Sequence, residues 1–471
     1  MKSATMMKKF LACAMALCMG IGLCACGGGG NSGGGGNSGE QTLKVTIRGN
    51  DTSEALLNQK LQKAFVAKKA KEGVTVKFET PSTFNAGTYM QSIDTLAGAN
   101  NLGDIVYTYD TDSGLEIKSK MFEPLDDYIA NDPDFDLADY DTSIINSART
   151  YNNQIAFMPR SFDQMTIMIN KGLFKELDLE SEIPTTDKYG ADWENWTWDE
   201  MIRICEKLRA AMDEKYGNQA SQYYPLVAKF FYNAVYGPVI ESFGGNCVDI
   251  ENMDSGFNAT HPKHAATVKA LEWMQSLVEQ KLTTYGNGNF SGGNNAMVTA
   301  VRTSVPVYLK AGIDLAFAPL PKFTKNQTGL DNTTTYVGFG SGGYAMNAES
   351  RNKELAWEFI KFTASEEGQM LIAENGACVP ILNSMLTQNA SWMEVDALRV
   401  GDSYIDQSAF VTGGLTRMPA TFARGVAVQD ESTIYTDTNN FISNDFIDDN
   451  FNAENLSKKI YDKIKKYIKA E

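Results

Sequence analysis

The sequence predicts an α/β fold in which helices cover a mostly parallel sheet. Residues 43–47 alternate between aliphatic and polar side chains, which is typical of a half-buried strand. A helical pattern at 53–72 follows, then a strand at 74–78, a helix at 89–97 and a third strand at 104–110. Strands that alternate with helices in this way form parallel sheets with helical cover. The chain has 471 residues, which is long enough for two such domains or lobes.

The rest of the chain carries further helix signals. Thr197 and Glu200 have the spacing of a capping box at the start of a helix. Apolar residues recur at helical spacing in 264–278, and Ser365 is placed to cap another helix. The C-terminal stretch 456–471 is amphipathic, and its lysines face either solvent or an anionic surface.

The beginning of the chain has the pattern of a secretory signal peptide. Lys2, Lys8 and Lys9 precede an apolar run at 10–23, which is shorter than the ~20 residues needed to span a bilayer. The run ends in LCAC. An aliphatic residue three positions before Cys26, and a small residue directly before it, resemble the bacterial lipobox. The resemblance implies that Cys26 is lipidated.

A glycine-rich segment follows the signal. Residues 26–41 read CGGGGNSGGGGNSGEQ. They cannot form a core, because glycine has no side chain to bury and loses much backbone entropy on ordering. A flexible tether of about 15 residues reaches about 20 Å. We therefore expect 1–25 to be a signal peptide that is removed, and 26–41 to be the lipidated cysteine followed by a flexible tether to a globular domain.

Charge and composition exclude several classes of protein. The formal net charge of −16 argues against nucleic-acid binding, which needs basic patches. After Cys26 the cysteines are Cys205, Cys247 and Cys378, too few and too far apart for a disulfide framework. The only histidines are His261 and His264, with no cysteine or acidic residue close to them in sequence. We therefore expect no metal site and no cofactor.

No common catalytic motif is present. The patterns GxxxxGK[ST], HExxH, GxSxG and CxxC are absent, and two histidines leave little material for histidine-based catalysis. The sequence thus predicts that the protein is not an enzyme. Carboxylates are abundant, so a secreted hydrolase that uses two acids from distant positions stays open as an alternative.

One glycine motif needs a separate interpretation. The stretch GFGSGG at 338–343 matches the pattern G-x-G-x-x-G. A dinucleotide site requires a helix N-terminus directly after the glycines, whereas the strand-like sequence YAMNA follows here. The glycines instead predict a close approach of the backbone, either to a ligand or to the other lobe.

Aromatic and amide side chains are concentrated in FFYNAVYGPVIESFGG, residues 230–245. Most of these rings are expected in a core, but Tyr232 and Asn233 are candidates for a binding cleft. Aromatic rings pack on the C–H faces of sugars, while amides and carboxylates hydrogen-bond to hydroxyl groups. The segment therefore favours a binding site for a polar ligand.

The order of several short motifs resembles that of one family. These motifs are GDIVYTYD, MFEPLDDYI, QIAFMPRSFDQMTIMINKGLF, WTWDEM, ESFGGN, SGGNNAM, FAPLPKF, YVGFGSGGYAMNAESRNKELAWEFIKF and ASEEGQMLIAENGACVP. In this order, behind a lipobox, they make the chain resemble the extracellular solute-binding lipoproteins of ABC importers, of the maltose and multiple-sugar type (family 1). The similarity runs from about Thr42 to the C-terminus.

The resemblance implies a two-lobed, periplasmic-binding-protein-like α/β fold with hinge crossovers and an interlobe ligand cleft. Lobe 1 would comprise 42–159 plus 320–377, and lobe 2 would comprise 160–319 plus 378–471. It also implies a monomer, lipid-anchored to the extracellular or periplasmic face of the cell membrane, which delivers a carbohydrate to ABC permease subunits. The carbohydrate is expected to be an oligosaccharide. Two alternatives remain: a surface glycan-binding lipoprotein without transport, and a binder of a peptide, polyol or uronate.

The resemblance also implies a set of site residues, carried over position by position. They lie after the first and third strands, just past a first hinge crossing expected near 158–161, in the aromatic segment, after the NNAM motif, in the GFGSGG strand and around 417–422. The implied ligand contacts are Asn50, Asp51, Thr108, Tyr109, Asp110, Asp163, Tyr232, Asn233, Phe243, Arg302, Thr303, Gly338, Phe339, Arg417 and Phe422.

One position departs from the pattern of the sugar binders, which often carry a tryptophan soon after the motif that reads SGGNNAM here. This chain has VTAVRT at 298–303 and therefore offers the guanidinium of Arg302 instead of an indole ring. Arg302 either contacts a polar or acidic saccharide or pairs with one of the many acids of the protein.

Overall fold

We describe the protein from a computed structural model. The structure describes residues 40–48, 52–80, 83–84, 89–110, 117, 119–149, 151–284, 286, 288–374, 378–387, 390–394, 396–411, 413–419, 431–448 and 450–468. Residues 40–471 form one compact unit. Within it, the described residues build two large sheets, a short hairpin and two separate hydrophobic cores.

The strands are numbered in chain order. They are β1 (Gln41–Arg48), β2 (Val76–Glu79), β3 (Thr83–Phe84), β4 (Ile105–Tyr109), β5 (Phe122–Glu123), β6 (Met158–Gln164), β7 (Thr166–Asn170), β8 (Tyr224–Val227), β9 (Asn295–Ala300), β10 (Leu315–Pro319), β11 (Tyr336–Asn347), β12 (Arg399–Val400), β13 (Ser403–Tyr404) and β14 (Thr416–Pro419).

The described α-helices are numbered in the same way. They are α1 (Thr52–Lys71), α2 (Tyr89–Gly98), α3 (Asp126–Asn131), α4 (Thr142–Ser147), α5 (Lys171–Glu176), α6 (Thr186–Tyr189), α7 (Trp198–Tyr216), α8 (Asn233–Ser242), α9 (His264–Glu279), α10 (Val305–Lys310), α11 (Lys325–Thr328), α12 (Lys353–Ala364), α13 (Glu366–Ala373), α14 (Glu431–Asp445) and α15 (Ala453–Ile464). None of the helices in this described part is long and apolar enough to cross a membrane.

The first sheet contains the predicted β-α-β-α-β unit. Strand β1 pairs in parallel with β2 on one side and with β4 on the other, and α1 and α2 provide the connections. Leu57, Leu61 and Phe65 recur at helical spacing on α1 and are all buried. The helix ends before Gly73, whose positive φ of 81° suits a residue without a side chain. The α/β class predicted from the sequence is confirmed.

Strand β11 joins most of the first sheet together. It runs antiparallel to β4, β5 and β6 and parallel to β14. The second sheet has the order β10-β7-β9-β8, with β8 and β9 parallel. Helix α7 contributes to the second core, and Thr197 is its N-cap. The Thr197 hydroxyl accepts the backbone N–H of Glu200, as the sequence predicted, while the Glu200 carboxylate accepts a hydrogen bond from Arg203.

The chain passes from the first sheet to the second within one residue. Strand β6 pairs with β11, β7 pairs with β9 and β10, and only Met165 lies between them. The backbone N–H of Met165 donates to the carbonyl of Gly338 at 2.9 Å, which ties this crossing to β11. After 378, buried residues up to Phe410 belong to the first core and those from Ile442 to the second. The lobe boundaries given above stay a prediction.

The glycines of β11 allow close approach of other backbone segments. A Cβ at Gly338 would overlap the carbonyl oxygen of Ala234 in α8, and one at Gly343 would overlap the carbonyl oxygen of Met158 in β6. At these two positions the absence of a side chain allows two backbone segments of the protein to approach each other closely. Gly340 lies on the same strand and differs, because a Cβ there would meet nothing within 4 Å.

We expect Gly338→Ala to lower the free energy of unfolding by about 1–3 kcal/mol, because overpacking against a backbone carbonyl forces the strand and helix apart. Gly340→Ala is the matched control on the same strand and should change stability by no more than about 0.5 kcal/mol. Urea denaturation followed by circular dichroism measures both. Equal destabilisation by the two variants would contradict the close-approach argument.

Candidate ligand-binding site

The candidate site lies where elements of both sheets meet. Strands β4, β6 and β11 of the first sheet contribute from one side. The connection from β8 to α8 and the turn after β9 contribute from the other. In α/β folds, ligands bind beyond the carboxyl ends of the parallel strands, where loops from neighbouring strands converge. We use the name cleft for the space surrounded by Asp163, Tyr232, Thr303 and Gly340.

Asp163 is the central acidic group of the cleft. It lies on β6, and the backbone N–H of Thr303, from the turn after β9, donates to its carboxylate. The buried Oδ1 atom accepts no hydrogen bond from the described residues. Burial raises the pKa of Asp163 to about 7, although the charges of Arg302 and Arg160 act in the opposite direction. An acceptor of this kind suits a hydroxyl donor supplied by a ligand.

Tyr232 lies on the second-sheet side, directly before α8. Its backbone N–H donates to the carbonyl of Lys229, which forms a tight turn directly before α8. The side chain is 41 % exposed, yet burial raises its pKa, and the charges of Asp110 and Asp163 raise it further. A side chain that is both accessible and crowded by protein lies in a recess. The charges of Asp110 and Asp163 thus act on Tyr232, and the ligand contacts that the resemblance implies at these three residues stay a prediction.

Gly340 provides room beside Asp163. The two residues are direct partners in the antiparallel pairing of β6 with β11. Side chains of opposed residues project from the same face of a sheet. Since a Cβ at Gly340 would meet nothing within 4 Å, the face that carries the Asp163 carboxylate is open at this point.

The end of β4 contributes a second aromatic residue. The ring of Tyr109 packs edge-on against Tyr107, with centroids 5.1 Å apart, and the Arg48 guanidinium lies 5.5 Å from the Tyr109 ring centroid. Burial raises the pKa of Tyr109 to about 12. Thr108, in contrast, is fully buried within the sheet, opposite Gly343. Of the residues implied on β4, Tyr109 is the one placed to present a ring at the strand end.

Arg302 is enclosed by protein, so the structure does not support its direct contact with a ligand. Its Nε donates to Gln407 Oε1 at 2.7 Å, one of its terminal nitrogens donates to the carbonyl of Cys378, and its guanidinium lies 4.7 Å from the Trp392 ring centroid. The side chain is fully buried, and burial lowers its pKa. Of the two sequence alternatives, the internal role fits, but its partners are an amide, a carbonyl and an indole ring. The charge of Arg302 still acts on Asp163, and the adjacent Thr303 donates its backbone N–H to that carboxylate.

Several other implied contacts have packing roles instead. Phe243 belongs to the second core, with its ring 5.6 Å from Trp273, and Phe339 is buried in the first core against Phe162. Asn233 is the first residue of α8 and is buried. These positions, like Gly338, are near cleft residues in the sequence but are packed inside the protein.

Arg417, on β14, is also engaged within the protein. Its Nη1 donates to Asp141 Oδ2 at 2.7 Å and its Nε to Gln164 Oε1 at 2.8 Å. The guanidinium lies 5.2 Å from the Phe162 ring centroid. These contacts join β14 to β6, so Arg417 holds the strand that carries Asp163. Asn50, Asp51, Phe422 and Cys26 lie outside the described residues.

Two basic residues near the cleft were missed from the sequence. Arg48 ends β1 directly before the implied contacts Asn50 and Asp51, and its Nε finds no acceptor among the described residues. Lys229 follows β8 with a left-handed φ of 54°, and burial lowers its pKa. Strained backbone concentrates at functional sites. The signal available in the sequence was position, since Arg48 is the last residue of a largely buried strand and Lys229 lies two residues after the end of another.

A buried ion pair underlies the first-sheet side. Arg160 on β6 and Glu54 on α1 form two hydrogen bonds, at 2.6 and 2.7 Å, across 106 residues of sequence. The Arg160 guanidinium lies 4.4 Å from the Tyr107 ring centroid, and the hydroxyl of Tyr344 donates to Asn58. The pair connects the first turn of α1 to the strand that bears Asp163.

No metal centre accompanies these groups within the described part of the chain: it contains no cluster of three or more histidine, cysteine or acidic side chains that could hold an ion. Arranged this way, the cleft can accept hydroxyl groups at Asp163 and pack an apolar face on Tyr232. This is the chemistry of a two-lobed binding protein.

The comparison with known families agrees with this class. Residues 50–370 match the family described as bacterial extracellular solute-binding protein, and this chain belongs to that family. Members of the family are substrate-binding proteins of transporters and not enzymes. The family resemblance stated from the sequence motifs is thereby confirmed.

Solved structures with the same fold cover nearly the whole chain. An ABC substrate-binding protein from Listeria monocytogenes, solved with cycloalternan, is 17 % identical with a TM-score of 0.66, covering 91 % of this chain and 98 % of its own. The cyclic α-maltosyl-1,6-maltose binding protein from Arthrobacter globiformis is 16 % identical with a TM-score of 0.68, covering 92 % and 99 %. The sugar-binding protein MalE from Xanthomonas citri is 14 % identical with a TM-score of 0.67, covering 91 % and 97 %. These likenesses confirm the two-lobed fold.

We expect Glu54→Gln to lower the free energy of unfolding by about 3–5 kcal/mol, because it leaves the Arg160 charge buried without its partner. The double variant E54Q/R160M should lose less than the sum of the two single variants. Lys60→Met is the control, since the Lys60–Glu374 pair is exposed and contributes less than about 1 kcal/mol. Urea denaturation gives all four values, and additive losses would contradict the coupling.

Asp163 should also make stability depend on pH. Its pKa of about 7 lies above the ordinary value of 3.8, so between these values the folded state binds more protons and stability falls as pH rises. Asp163→Asn removes this dependence. Between pH 4 and pH 7 its free energy of unfolding should therefore rise relative to that of the wild type by up to about 4 kcal/mol, at about 1.4 kcal/mol per pH unit. Thermal unfolding at several pH values measures the gain, with exposed Asp127→Asn as control. Parallel pH profiles of wild type and Asp163→Asn would contradict it.

Proposed function

We propose that this protein captures an oligosaccharide between its two lobes and delivers it to the permease of an ABC transporter. The observation that carries the proposal is that Asp163, on a strand of the first sheet, lies near enough for its charge to act on the accessible Tyr232. The similar structures support the ligand class: the Listeria protein was solved with cycloalternan, and the Arthrobacter protein binds cyclic α-maltosyl-1,6-maltose.

The two sides of the cleft offer the two kinds of contact that sugars need. Asp163 has a buried oxygen that accepts no protein donor, and a sugar hydroxyl can supply one. Tyr232 presents an accessible ring for the C–H face of a pyranose. Gly340 leaves space between them. The ligand contacts that we retain are Tyr109, Asp110, Asp163, Tyr232 and Thr303.

Binding between the lobes gives transport a physical basis. Asp163 belongs to the first sheet and Tyr232 to the connection that leaves the second. A ligand that touches both stabilises the closed arrangement by its difference in affinity for the two states. A 1 µM ligand supplies about 8 kcal/mol, which exceeds a modest cost of closure. The closed form is then the one that a permease recognises.

The proposal includes a membrane anchor and excludes turnover. Cys26 and the glycine-rich segment that follows would hold a monomer at the outer face of the membrane.

Binding without chemistry follows from the family and from the lack of a catalytic motif in the sequence. Incubation of a labelled maltodextrin with the protein should return the sugar unchanged, and hydrolysis would reject the binding role in favour of a hydrolase.

The first experiment is a thermal-shift screen of the chain from Glu40 against neutral oligosaccharides, uronates, polyols and peptides. A ligand at one hundred times its dissociation constant adds about 2.7 kcal/mol to stability, which raises the melting temperature by several degrees. A response to oligosaccharides is expected. A response to peptides alone would reject the ligand class.

Calorimetric titration of the saccharide found in this screen tests the cleft residues. Asp163→Asn should weaken binding by about 10- to 100-fold, since a hydrogen bond to a charged group contributes about 1.5–3 kcal/mol. Tyr232→Ala removes the ring and should also weaken binding, whereas Leu330→Ala, exposed to a similar degree, is the control. Because only the Asp163 carboxylate accepts hydroxyl donors in full, wild-type affinity should fall about tenfold from pH 8 to pH 6.

These titrations have a clear opposite outcome. Unchanged affinity in both Asp163→Asn and Tyr232→Ala would place the ligand elsewhere.

Deletion of the gene separates transport from surface capture alone. Uptake of the saccharide by the cells should fall, and unchanged uptake would favour a glycan-binding lipoprotein without a permease.

A further inference from the structure

The turn that follows β9 is fastened to the first core by one side chain. The turn comprises Arg302–Ser304, is closed by a hydrogen bond of 2.9 Å from the Ser304 N–H to the Val301 carbonyl, and lies against β6. Within it the Arg302 side chain is fully buried, whereas Thr303 is exposed. One residue of the turn therefore anchors it, while its neighbour lies at the surface of the cleft.

Three contacts enclose the guanidinium of Arg302. Its Nε donates to Gln407 Oε1 at 2.7 Å, a terminal nitrogen donates to the Cys378 carbonyl, and the group lies 4.7 Å from the Trp392 ring centroid. Gln407 is itself fixed, since its amide donates to the Met393 carbonyl at 2.7 Å. Cys378 and Trp392 belong to the first core. Arg302 therefore ties a turn of the second sheet to a rigid part of the first core.

The charge of Arg302 is not paired as other buried arginines of this protein are. Arg160 and Arg417 each form an ion pair with a carboxylate. Arg302 has no carboxylate within ion-pair distance in the described part of the chain, and its Nη2 finds no acceptor there. A buried charge without a full set of partners costs free energy, so a neutral residue would serve packing better. The acid on which the charge acts is Asp163, which indicates a role for Arg302 in the cleft.

Asp163 receives two kinds of support from the turn. The backbone N–H of Thr303 donates to its carboxylate, and the positive charge of Arg302 favours its ionised form. The charged and titratable groups around the carboxylate are Arg160, Arg302, Cys378 and Tyr232. Arg160 acts from β6 itself, so Arg302 is the cation that approaches from the second-sheet side. The support from the turn thus depends on the anchor that holds it.

We propose that Arg302 is a positioning residue of the cleft: by anchoring the 302–304 turn, it places the Thr303 N–H on the Asp163 carboxylate and fixes the orientation in which Asp163 meets a ligand. The inference rests on the function proposed above, because it takes Asp163 and Thr303 as ligand contacts. Arg302 itself touches no ligand. A carboxylate that is already held in place loses less freedom when the ligand binds, so the anchor raises affinity.

The first test needs no ligand. The carboxyl ¹³C resonance of Asp163 in the chain from Glu40, assigned by Asp163→Asn, reports protonation of this side chain. Arg302→Met should raise the titration midpoint by at least about one pH unit, because the charge and the fixed N–H are both lost. Arg302→Lys should recover at least half of that shift.

Arg209→Met is the matched control for this titration. Arg209 is also buried and donates to two backbone carbonyls, but it lies on α7, away from the cleft. Its loss should lower stability and leave the Asp163 midpoint unchanged. If Arg302→Met does not fold, Arg302→Gln, which keeps an amide donor for the Cys378 carbonyl, replaces it with the same expectation. Equal midpoints in wild type and in the uncharged Arg302 variant would overturn the proposal.

Calorimetric titration of the saccharide found in the screen shows whether the effect on binding passes through Asp163. Arg302→Met should weaken binding about five- to tenfold at pH 7 and by less at pH 9, because the raised midpoint leaves a larger share of Asp163 protonated at pH 7. In the Asp163→Asn background the same substitution should weaken binding less than about twofold, since residues that act through one group are not additive. Equal losses in both backgrounds would overturn the proposal.

The two measurements separate this proposal from the function on which it rests. If Asp163→Asn binds the saccharide as tightly as wild type does, the proposed ligand contact fails, and with it the role of Arg302 in binding. A raised midpoint in Arg302→Met would then still show that Arg302 controls the Asp163 carboxylate. If Asp163→Asn binds weakly but Arg302→Met leaves both midpoint and affinity unchanged, the function stands and the positioning role is rejected.

Discussion

The close contacts of strand β11 are the constraint on which the rest of the structure depends. This strand pairs with β4, β5, β6 and β14 and also touches helix α8, which leads out of the second sheet. Such approach is possible only where no side chain intervenes, as at Gly338 and Gly343. The same strand then exposes Gly340 beside Asp163. One glycine-rich segment thus sets the distance between the two sides of the cleft and leaves room within it.

The buried arginines maintain this arrangement and leave ligand contact to other residues. Arg160 fastens β6 to α1 through Glu54, and Arg417 fastens β6 to β14 and to Asp141. Arg302 joins the turn after β9 to the segments that carry Cys378 and Gln407. Buried charges need several partners to offset their desolvation, so each arginine connects segments distant in sequence. In the protein alone, Asp163 is held by the Thr303 N–H and keeps a buried oxygen with no described partner.

The cleft residues could be recognised from the sequence only in part. Asp163 was singled out through the family resemblance and Tyr232 through its aromatic segment, and in the structure the charge of Asp163 acts on Tyr232. No short motif shows which residues from distant segments line a cleft together, because a motif contains only residues that are neighbours in the sequence.

The sequence by itself determined the α/β class, the β-α-β-α-β unit, the cap at Thr197 and the family, because these depend on spacing over a few residues. Only the tertiary structure decided which of several similar residues serve the cleft. Gly338 and Gly340 are identical two positions apart, yet one meets a carbonyl and the other open space. Arg302 could have faced a ligand, but contacts from residues about 75 to 105 positions away enclose it. Burial and contact are set by the packing of the whole chain, which local patterns do not contain.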